Sequence, residues 1–582
     1  MKRVSLIAVV VLAAMAAHAQ STPATAPPTP AAAAAPQLPP ATAQQPANLP
    51  KLVETIDVRV INVDVVVTDR KGNPIKGLAK DDFELYENGR VKPVSNFSEV
   101  VATPKPAPAS AAPTAQPAEP KPVVKAEPIP DNQRRRIIFY IDNLSLAPFN
   151  RNRVFTAMKK FIDDVMRPGD EAMIATFNRS MKVRVPFVRD PVQLKQTLDV
   201  IAGESALGLS NKSERKDTQG RIDDAQSYDE AVSVARSYSE SVEHDLRQSV
   251  ESLNGLMTTL AGVEGKKILV LTSEGFPMQP GREMFTYVDE AGRDKGWSFG
   301  SSVLEGMSFD SHSLIQSVAQ TANANGITLY TVHAGGLQAD DNSSAENAKA
   351  TSHTVSQATV SNSTESMQLM AEMTGGLASI STNNFGAAFK HIQDDLDSYY
   401  SLGYRAGTER VDRQRQLEVR VKNKNYVVRN RQTFVEKSTY AEMSDRVVAN
   451  LLYSTKQNDL RILMKTSTPK PTDDELFRVP VEVQIPMDAL TFLPLGDTEY
   501  AGGFEVFCVV GNKDGDMSDV ARKSHQIRFP RSDLSKTKGK YYSYELDLLM
   551  EPGVNRISVG VIDSISNVSG FARDQVLAKD LR

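Results

Sequence analysis

The spacing of apolar residues predicts alternating strands and helices through the middle of the chain. Ile137–Ile141 is an unbroken apolar run that ends at Asp142, which is the pattern of a central parallel strand. Apolar residues then recur at helical spacing from Val154 to Val165, and Pro168-Gly169-Asp170 ends that helix. Further buried runs and amphipathic stretches continue the alternation. Residues 135–400 are therefore predicted to form an α/β domain with a doubly wound, mostly parallel sheet.

On both sides of this region the apolar period shortens to two, which predicts β structure. Along 56–67 apolar and polar residues alternate with one slip at Ile61-Asn62, so a β-bulge is predicted there. Glu87-Asn88-Gly89-Arg90 predicts a tight hairpin. We expect a small N-terminal β module over 51–101, a β segment over 401–437 and a C-terminal β-sandwich over 446–582.

The first residues have the features of a secretion signal. Lys2 and Arg3 precede the uncharged apolar stretch Leu6–Ala17, and Ala17-His18-Ala19 matches the small-x-small pattern at a cleavage site. The stretch is shorter than the roughly 20 residues that a membrane-spanning helix needs. We therefore expect a signal peptide over 1–19 and no membrane span after its cleavage. The mature chain would be exported, and it would be periplasmic, attached to the cell surface or secreted.

Two tracts rich in proline and alanine are predicted to be extended linkers, because neither has an apolar period that defines a packed face. They cover 20–50 and 102–134.

Polar insertions also interrupt the α/β domain after Gly203, after Gly275 and after Ser343. In open α/β sheets such loops gather at the strand ends where ligands bind. The alternative is that they are plain surface loops.

Composition excludes two classes of partner or site. The formal net charge is −4 and no basic block is present, which argues against a nucleic-acid partner. Cys508 is the only cysteine, so an intramolecular disulfide and a thiolate zinc cluster are both excluded. Its strand-like surroundings predict a buried thiol rather than a reactive one.

Little in the sequence points to an enzyme. The chain has no phosphate-cradling Gly-x-x-x-x-Gly-Lys loop and no His-Glu-x-x-His pair for zinc. His333 ends a predicted buried strand, where chemistry tends to be located, but no base or nucleophile partner is evident for it. We therefore predict a non-enzymatic protein, and an exported hydrolase is the less favoured alternative.

Several separated motifs resemble one known family. The strand that ends in Asp142, the helix stop and the buried run Ile268–Leu271 are similar to the von Willebrand factor A fold. Val65–Gly72 together with Leu78–Gly89 resembles the N-terminal signature of the VWFA-related acidobacterial domain family. Its C-terminal signature is resembled by Thr374-Gly375-Gly376 and Tyr399–Tyr404. The resemblance covers roughly Leu52 to Val435, and it implies an extracytoplasmic protein whose A-like domain binds rather than catalyses.

The resemblance also implies a site at the carboxyl edge of the sheet. A domains that hold a divalent cation there use an Asp-x-Ser-x-Ser loop, a threonine and a second aspartate. Here Asp142 is followed by Asn143-Leu144-Ser145-Leu146, and Ser273-Glu274 occupies the third loop. The predicted ligand-binding residues are therefore Asp142, Ser145, Ser273 and Glu274.

These residues leave too few fixed oxygens for the near-ideal octahedral set of Mg²⁺, so a conventional site is disfavoured. The remaining metal hypothesis is a degenerate site in which Asp142 and Glu274 hold Mg²⁺ or another divalent cation with the help of water. The alternative is that no cofactor binds and that Asp142 orders its own loop or caps the next helix.

The function predicted from these observations is binding to an unidentified protein partner, or adhesion. A structural cell-envelope scaffold without a dedicated ligand is the close alternative. A binding face should carry an apolar or aromatic patch rimmed by polar residues, whereas a scaffold need not. Phe276, Phe285 and Trp297 are candidates for such a patch, and the alternative is that they fix an insertion to the body of the domain.

Overall fold

The computed structural model describes residues 60–101, 134–297, 301–337, 353–405 and 411–579. The predicted signal peptide and both predicted linkers, apart from Arg134, lie outside these ranges. Within the described residues, no helix is both long enough and apolar enough to cross a membrane.

The described elements follow one another in three groups. The first strands are β1 (Val60–Thr68), β2 (Phe83–Glu87), β3 (Arg90–Lys92) and β4 (Val94–Val101). The α/β region contains β5 (Arg135–Asp142), α1 (Pro148–Val165), β6 (Glu171–Phe177), β7 (Met181–Val188), α2 (Pro191–Ala202), α3 (Gly208–Asp224), α4 (Tyr228–Thr259), β8 (Lys266–Ser273), α5 (Arg282–Asp294), α6 (Ser302–Gly306), α7 (His312–Ala324), β9 (Ile327–His333), α8 (His353–Thr374), β10 (Ala378–Ser379) and α9 (Phe385–Asp397). The remaining elements are β11 (Ser398–Arg405), β12 (Gln414–Val421), β13 (Val427–Asn430), β14 (Thr433–Val435), α10 (Thr439–Tyr453), β15 (Leu463–Thr466), β16 (Lys470–Pro471), β17 (Phe477–Pro486), β18 (Leu493–Leu495), β19 (Glu499–Asn512), β20 (Ala521–Pro530), β21 (Tyr541–Met550), β22 (Gly553–Asp563) and β23 (Ser569–Ala578).

The predicted mixed α/β class is confirmed. A six-stranded sheet has the order β10-β9-β8-β5-β6-β7, and its strands are parallel except for β7, which runs antiparallel to β6. Helices cover both faces. Helices α1, α2 and α9 pack on one face with Ile137, Phe139 and Ile141, whereas α4, α7 and α8 pack on the other with Ile138 and Tyr140. Burial on both faces explains why β5 is apolar at every position from Ile137 to Ile141.

Strands before and after the α/β region form one β-sandwich. One sheet has the order β13-β1-β11-β4 and the other β14-β12-β2-β3, and their inner faces share a single apolar core. Segments 51–101 and 401–437, predicted as separate units, therefore pair with each other in the parts described. The predicted bulge at Ile61-Asn62 is wrong, because β1 pairs with β11 without a break. The register shift lies instead at Gly403/Tyr404 of β11, opposite β4.

The C-terminal part contains two further sheets that face each other across an apolar core. Strands β15, β16, β17 and β21 form one sheet, and β18, β19, β20, β22 and β23 form the other. Helix α10 packs on the second sheet through Met443, Val447 and Leu451. Cys508 lies in this core, where burial raises the pKa of its thiol to about 12.

A buried ion pair joins the first sandwich to the α/β region. Arg429 of β13 donates to both carboxylate oxygens of Asp395 in α9, at 2.6 and 2.8 Å, and the Tyr330 hydroxyl donates to the same carboxylate at 3.1 Å. The Lys266 ammonium adds a second contact, 3.2 Å from Asp64 and 3.1 Å from the centre of the Tyr399 ring. The sandwich is therefore held at fixed points to the sheet that carries the site.

Candidate functional site

The predicted site residues lie where three parallel strands end. Asp142 is the last residue of β5, Ser273 the last of β8 and His333 the last of β9. Ser273 is the register partner of His333, and Ile141 is the partner of Thr272. The parallel sheet therefore brings residues far apart in sequence to one edge, as open α/β sheets do at their ligand-binding ends.

Three side-chain oxygens converge at this edge. The Ser145 hydroxyl donates to Asp142 Oδ2 at 2.7 Å, and the Ser273 hydroxyl donates to the same oxygen at 2.8 Å. The two hydroxyl oxygens are 2.9 Å apart. The backbone N–H groups of Glu274 and Gly275 donate to Ser145 Oγ and Ser273 Oγ, both at 3.0 Å. Asp142, Ser145 and Ser273 therefore form one hydrogen-bonded cluster, which we call the strand-end triad.

The loop after β5 explains how Ser145 reaches Asp142 from an unexpected position. Leu144 and Leu146, which stand where metal-binding A domains carry serines, are buried in the two opposite cores of the α/β region. The leucines thus fix the loop and leave Ser145 facing the carboxylate. Asp142 Oδ1 accepts hydrogen bonds from the backbone N–H groups of Leu144 and Ser145, at 3.2 and 3.4 Å.

Asp142 is almost fully buried, with 2% of its surface exposed. Burial raises the pKa of this carboxyl above its ordinary value, and the donors from Ser145 and Ser273 oppose that rise. A buried carboxylate costs free energy unless hydrogen bonds compensate it, which is the role of the two hydroxyl donors here.

Glu274 has other partners. Its Oε1 accepts from the backbone N–H of Ala147 at 2.7 Å and from the side-chain amide of Asn150 at 3.0 Å, and its Oε2 lies 3.8 Å from the Lys212 ammonium. Ala147 is the N-cap residue of α1. Its own side chain cannot cap the helix, and the carboxylate of Glu274 supplies the missing acceptor and negative charge. Of the two possible capping groups, Glu274 rather than Asp142 therefore serves the start of α1.

These contacts test whether the residues suit a divalent cation. The three distances between the oxygens of the strand-end triad match one face of an octahedron around Mg²⁺, in which neighbouring oxygens are about 2.9 Å apart. However, every carboxylate oxygen of Asp142 and Glu274 already has a protein partner, and an ammonium group faces Glu274. In the described part of the chain no three His, Cys, Asp or Glu side chains group as a metal site would require. The two-carboxylate site does not fit this arrangement, and no metal-dependent step is derived from it.

Three segments at this edge of the sheet carry exposed apolar side chains. Phe149 at the start of α1, Leu209 at the start of α3 and Leu337 after β9 are 73%, 59% and 63% exposed. Arg153 connects two of them: its guanidinium lies 5.8 Å from the Phe149 ring centre and donates to Asn383, which also accepts from the backbone N–H of Leu337. We call Phe149, Leu209 and Leu337 the apolar rim.

Helix α3 is the element that sequence reasoning missed at this site. It was predicted only as a polar insertion, yet it carries Lys212 and Leu209 beside the triad. Gly208 is the local signal, because a Cβ there would overlap the backbone of Ser145 and Leu146. Asn211 fixes the approach by donating to the Leu144 carbonyl at 2.9 Å.

The three aromatic residues predicted as a binding patch do not form one. Phe276 and Phe285 are buried, and Trp297 packs partly buried against the core that α4 and α5 share. The second interpretation of these residues, that they fix the insertion to the domain, therefore agrees with the structure. Helix α5 has an apolar face, and this face is buried. The number of apolar residues in the sequence does not show whether such a face is buried or exposed.

His333 is buried, and its Nδ1 has no hydrogen-bond partner in the described part of the chain. Burial lowers the pKa of this imidazole, whereas the nearby Glu274 opposes the shift. Gly296-Trp297-Ser298-Phe299-Gly300 has the spacing of a serine-hydrolase elbow, which requires a strand-to-helix turn. Gly296 instead lies in the turn that ends helix α5, after Lys295, and Ser298 lies outside the described residues.

No protein-family model and no curated protein matches this sequence. Solved structures with some similarity include an aerotolerance-related membrane protein from Bacteroides fragilis, with 12% identity, 45% of this chain and 98% of that chain covered, and a TM-score of 0.24. BatB from Bacteroides thetaiotaomicron is 9% identical over 45% of this chain and 97% of its own, with a TM-score of 0.21. Manganese-loaded TRAP protein from Plasmodium vivax is 10% identical over 51% and 93%, with a TM-score of 0.22. At these scores the similarities carry no argument about this chain.

Proposed function

We propose that this chain is an exported, von Willebrand factor A-like protein that binds a protein partner through the carboxyl edge of its six-stranded sheet. The observation that carries the proposal is the apolar rim, which is exposed around a buried polar triad at the strand ends. Exposed apolar side chains grouped around polar ones are typical of protein-binding faces, and aromatic residues contribute strongly to such interfaces.

The assignment to the A-like class is supported by the position of Asp142 at the end of β5 and by the convergence of Ser145 and Ser273 on its carboxylate. Export is supported by the sequence alone, through Lys2, Arg3 and the apolar stretch after them. Binding without catalysis is supported by the partners of the triad, since in the described part of the chain no hydrogen bond joins either hydroxyl to an imidazole that could act as a base.

Recognition in this proposal does not depend on a metal. The Lys212 ammonium, whose side chain is half exposed, supplies positive charge beside Glu274, and within the described ranges its one ion pair is the 3.8 Å contact with that carboxylate. A partner would therefore bury its apolar side chains on the rim and place polar groups over Lys212.

Affinity capture from an extract of the native source tests the proposal. The immobilised mature protein would be compared with a Phe149→Ser/Leu337→Ser variant and with Leu577→Ser, which removes a similarly exposed leucine from β23. We expect a protein that the wild type and Leu577→Ser retain at least about tenfold more than the rim variant, with EDTA present or absent. Equal retention by all three proteins would refute the assignment of the face.

A structural envelope scaffold is the second candidate function. It is favoured by the closed hydrogen bonding of the triad, which satisfies its own polar groups without a ligand. The same capture experiment separates the two functions, because a scaffold without a ligand has no partner whose retention depends on Phe149 and Leu337.

A further inference from the structure

A second concave site lies away from the strand-end triad, between the α/β region and the first sandwich. It is a groove of about 1040 Å³ that α7, α8 and β10 line on one side and β12 and β13 on the other. This volume is at the upper end of the range of about 300–1,000 Å³ for small-ligand pockets, and the groove is open to solvent along the strands. None of the triad or rim residues lines it.

Three strand edges open onto this groove. Strand β10 is the last strand of the six-stranded sheet and β13 is the last strand of its own sheet, so each is paired on one side only among the described strands. Strand β12 pairs with β14 through Gln414–Gln416, and the Leu417 N–H donates to the Gln432 carbonyl at 2.7 Å. Beyond Leu417, no described strand pairs with the outer edge of β12. Gly375 lies against the backbone of Asn430, so the part of the β13 edge that another extended chain can reach is Val427–Arg429.

The side chains around the groove suit a polypeptide backbone. Leu377, Ile380, Val427 and Val428 supply apolar surface along it. Glutamine amides, which both donate and accept hydrogen bonds, form half of its polar lining: Gln316, Gln320, Gln368, Gln414, Gln416 and Gln432. Proteins usually block open strand edges with lysine or proline, and neither residue type lines this groove.

Charge at the groove favours a basic occupant. Arg429 is the cation among the residues that line the groove. Two nitrogens of its guanidinium donate to Asp395, and this carboxylate balances its charge. Glu372 and Glu418 add negative charge at the rim. Among the described residues, the Glu372 carboxylate accepts one hydrogen bond, from the Gln368 amide, and Glu418 has one exposed ion pair, with Arg420, which neutralises it weakly.

We propose that this groove binds an extended, basic segment of a partner protein, which adds a strand along β13. The segment would hydrogen-bond through its backbone to the open strand edge, place alternate apolar side chains against Val427 and Leu377, and present lysine or arginine to Glu372 and Glu418. This site is independent of the face proposed above, since the two share no residue.

The test uses the full mature protein and a fluorescein-labelled heptapeptide, Lys-Val-Thr-Val-Thr-Val-Lys, in a fluorescence anisotropy titration. Two control peptides have the same side-chain order: one is N-methylated at alternate backbone amides, and one carries glutamate at both ends. The groove variant Val427→Lys/Gln416→Lys changes two exposed positions, and Gln526→Lys on the outer face of β20 is its matched control.

We expect saturable binding of the lysine-ended peptide to the wild type and to Gln526→Lys. Binding should be weaker by at least about tenfold for the N-methylated peptide, for the glutamate-ended peptide and for the groove variant. Hydrogen exchange should slow at the amides of Val427–Asn430 when the peptide binds. The proposal is overturned by the absence of binding up to about 1 mM, by equal binding of the N-methylated peptide, or by full binding to a groove variant whose melting temperature is unchanged.

Discussion

At the scale of single residues, the candidate site could be predicted by position but not by contact. Asp142 follows an apolar run, so its place at the end of a parallel strand is visible in the sequence. Ser145 appears out of phase because leucines occupy both expected serine positions, and only the packing of those leucines turns its hydroxyl to Asp142. The capping of α1 by Glu274 joins residues 127 apart in sequence, which no local pattern reveals.

The triad makes stability depend on pH through Asp142. Burial raises the pKa of this carboxyl in the folded state, so the folded protein binds its proton more tightly than the unfolded chain does. The resulting stabilisation is present below the unfolded pKa and is lost as pH rises through the folded pKa. Asp142→Asn removes the charge, and we expect it to raise the melting temperature at pH 7 relative to wild type by more than it does at pH 4.

Thermal unfolding at the two pH values checks this expectation. Asp514→Asn is the control, because the side chain of Asp514 is exposed to solvent. A larger gain at pH 4 than at pH 7, or a similar gain in the control, would show that burial of Asp142 is not the dominant effect.

At the scale of elements, the apolar period and the turn residues predicted local structure such as hairpins. They did not predict which distant strands pair. The Asn88-Gly89 hairpin between β2 and β3 is present as predicted, with both turn residues at positive φ. By contrast, β1 pairs with β11, more than 300 residues away, and the slip at Ile61-Asn62 suggested a bulge because its partner was unknown. Backbone geometry requires both glycines of Thr374-Gly375-Gly376. Gly375 has positive φ, and Gly376 lies against the Leu329 carbonyl, where a Cβ would not fit.

Gly376→Ala should therefore be costly. A Cβ at this position would overlap the carbonyl oxygen of Leu329 in β9, and backbone atoms cannot move aside as a flexible side chain can. We expect a loss of about 2 kcal/mol or more in the free energy of unfolding, measured by urea denaturation. In contrast, Gly386→Ala in α9 places its Cβ 3.5 Å from its nearest neighbour, and it should be neutral or slightly stabilising. Equal effects of the two substitutions would argue against close packing at Gly376.

At the scale of the whole molecule, the sequence predicted the kinds of unit but not their assembly. The sandwich that receives strands from both 60–101 and 398–435 depends on contacts across the entire α/β region, and local periodicity contains no information about them. Its attachment through Arg429, Asp395 and Tyr330 was equally invisible, because no local pattern shows that Asp395 is buried. Burial decides the role of that aspartate, and burial depends on the assembled fold.

The same ion pair gives a test of how the units are coupled. Asp395→Ala leaves the buried guanidinium of Arg429 and the Tyr330 hydroxyl without their partner, which should cost about 3–5 kcal/mol. Calorimetry should then show the sandwich and the α/β region unfolding in separate transitions. The neighbouring Asp394→Ala removes only an ion pair with Lys390 on the helix surface, and a change of about 0.5 kcal/mol or less is expected for it. A single transition of wild-type stability in Asp395→Ala would mean that the ion pair does not couple the units.

The central claim is that the carboxyl edge of the sheet forms a binding face that functions without a metal. Calorimetric titration of the mature protein with Mg²⁺, Mn²⁺ and Ca²⁺ tests it most directly, with Asp142→Asn and melting temperatures measured in parallel. The engaged oxygens of Asp142 and Glu274 predict no saturable heat and an unchanged melting temperature for each ion. Saturable binding that raises the melting temperature of the wild type and disappears in Asp142→Asn would contradict the claim and identify the triad as a cation site.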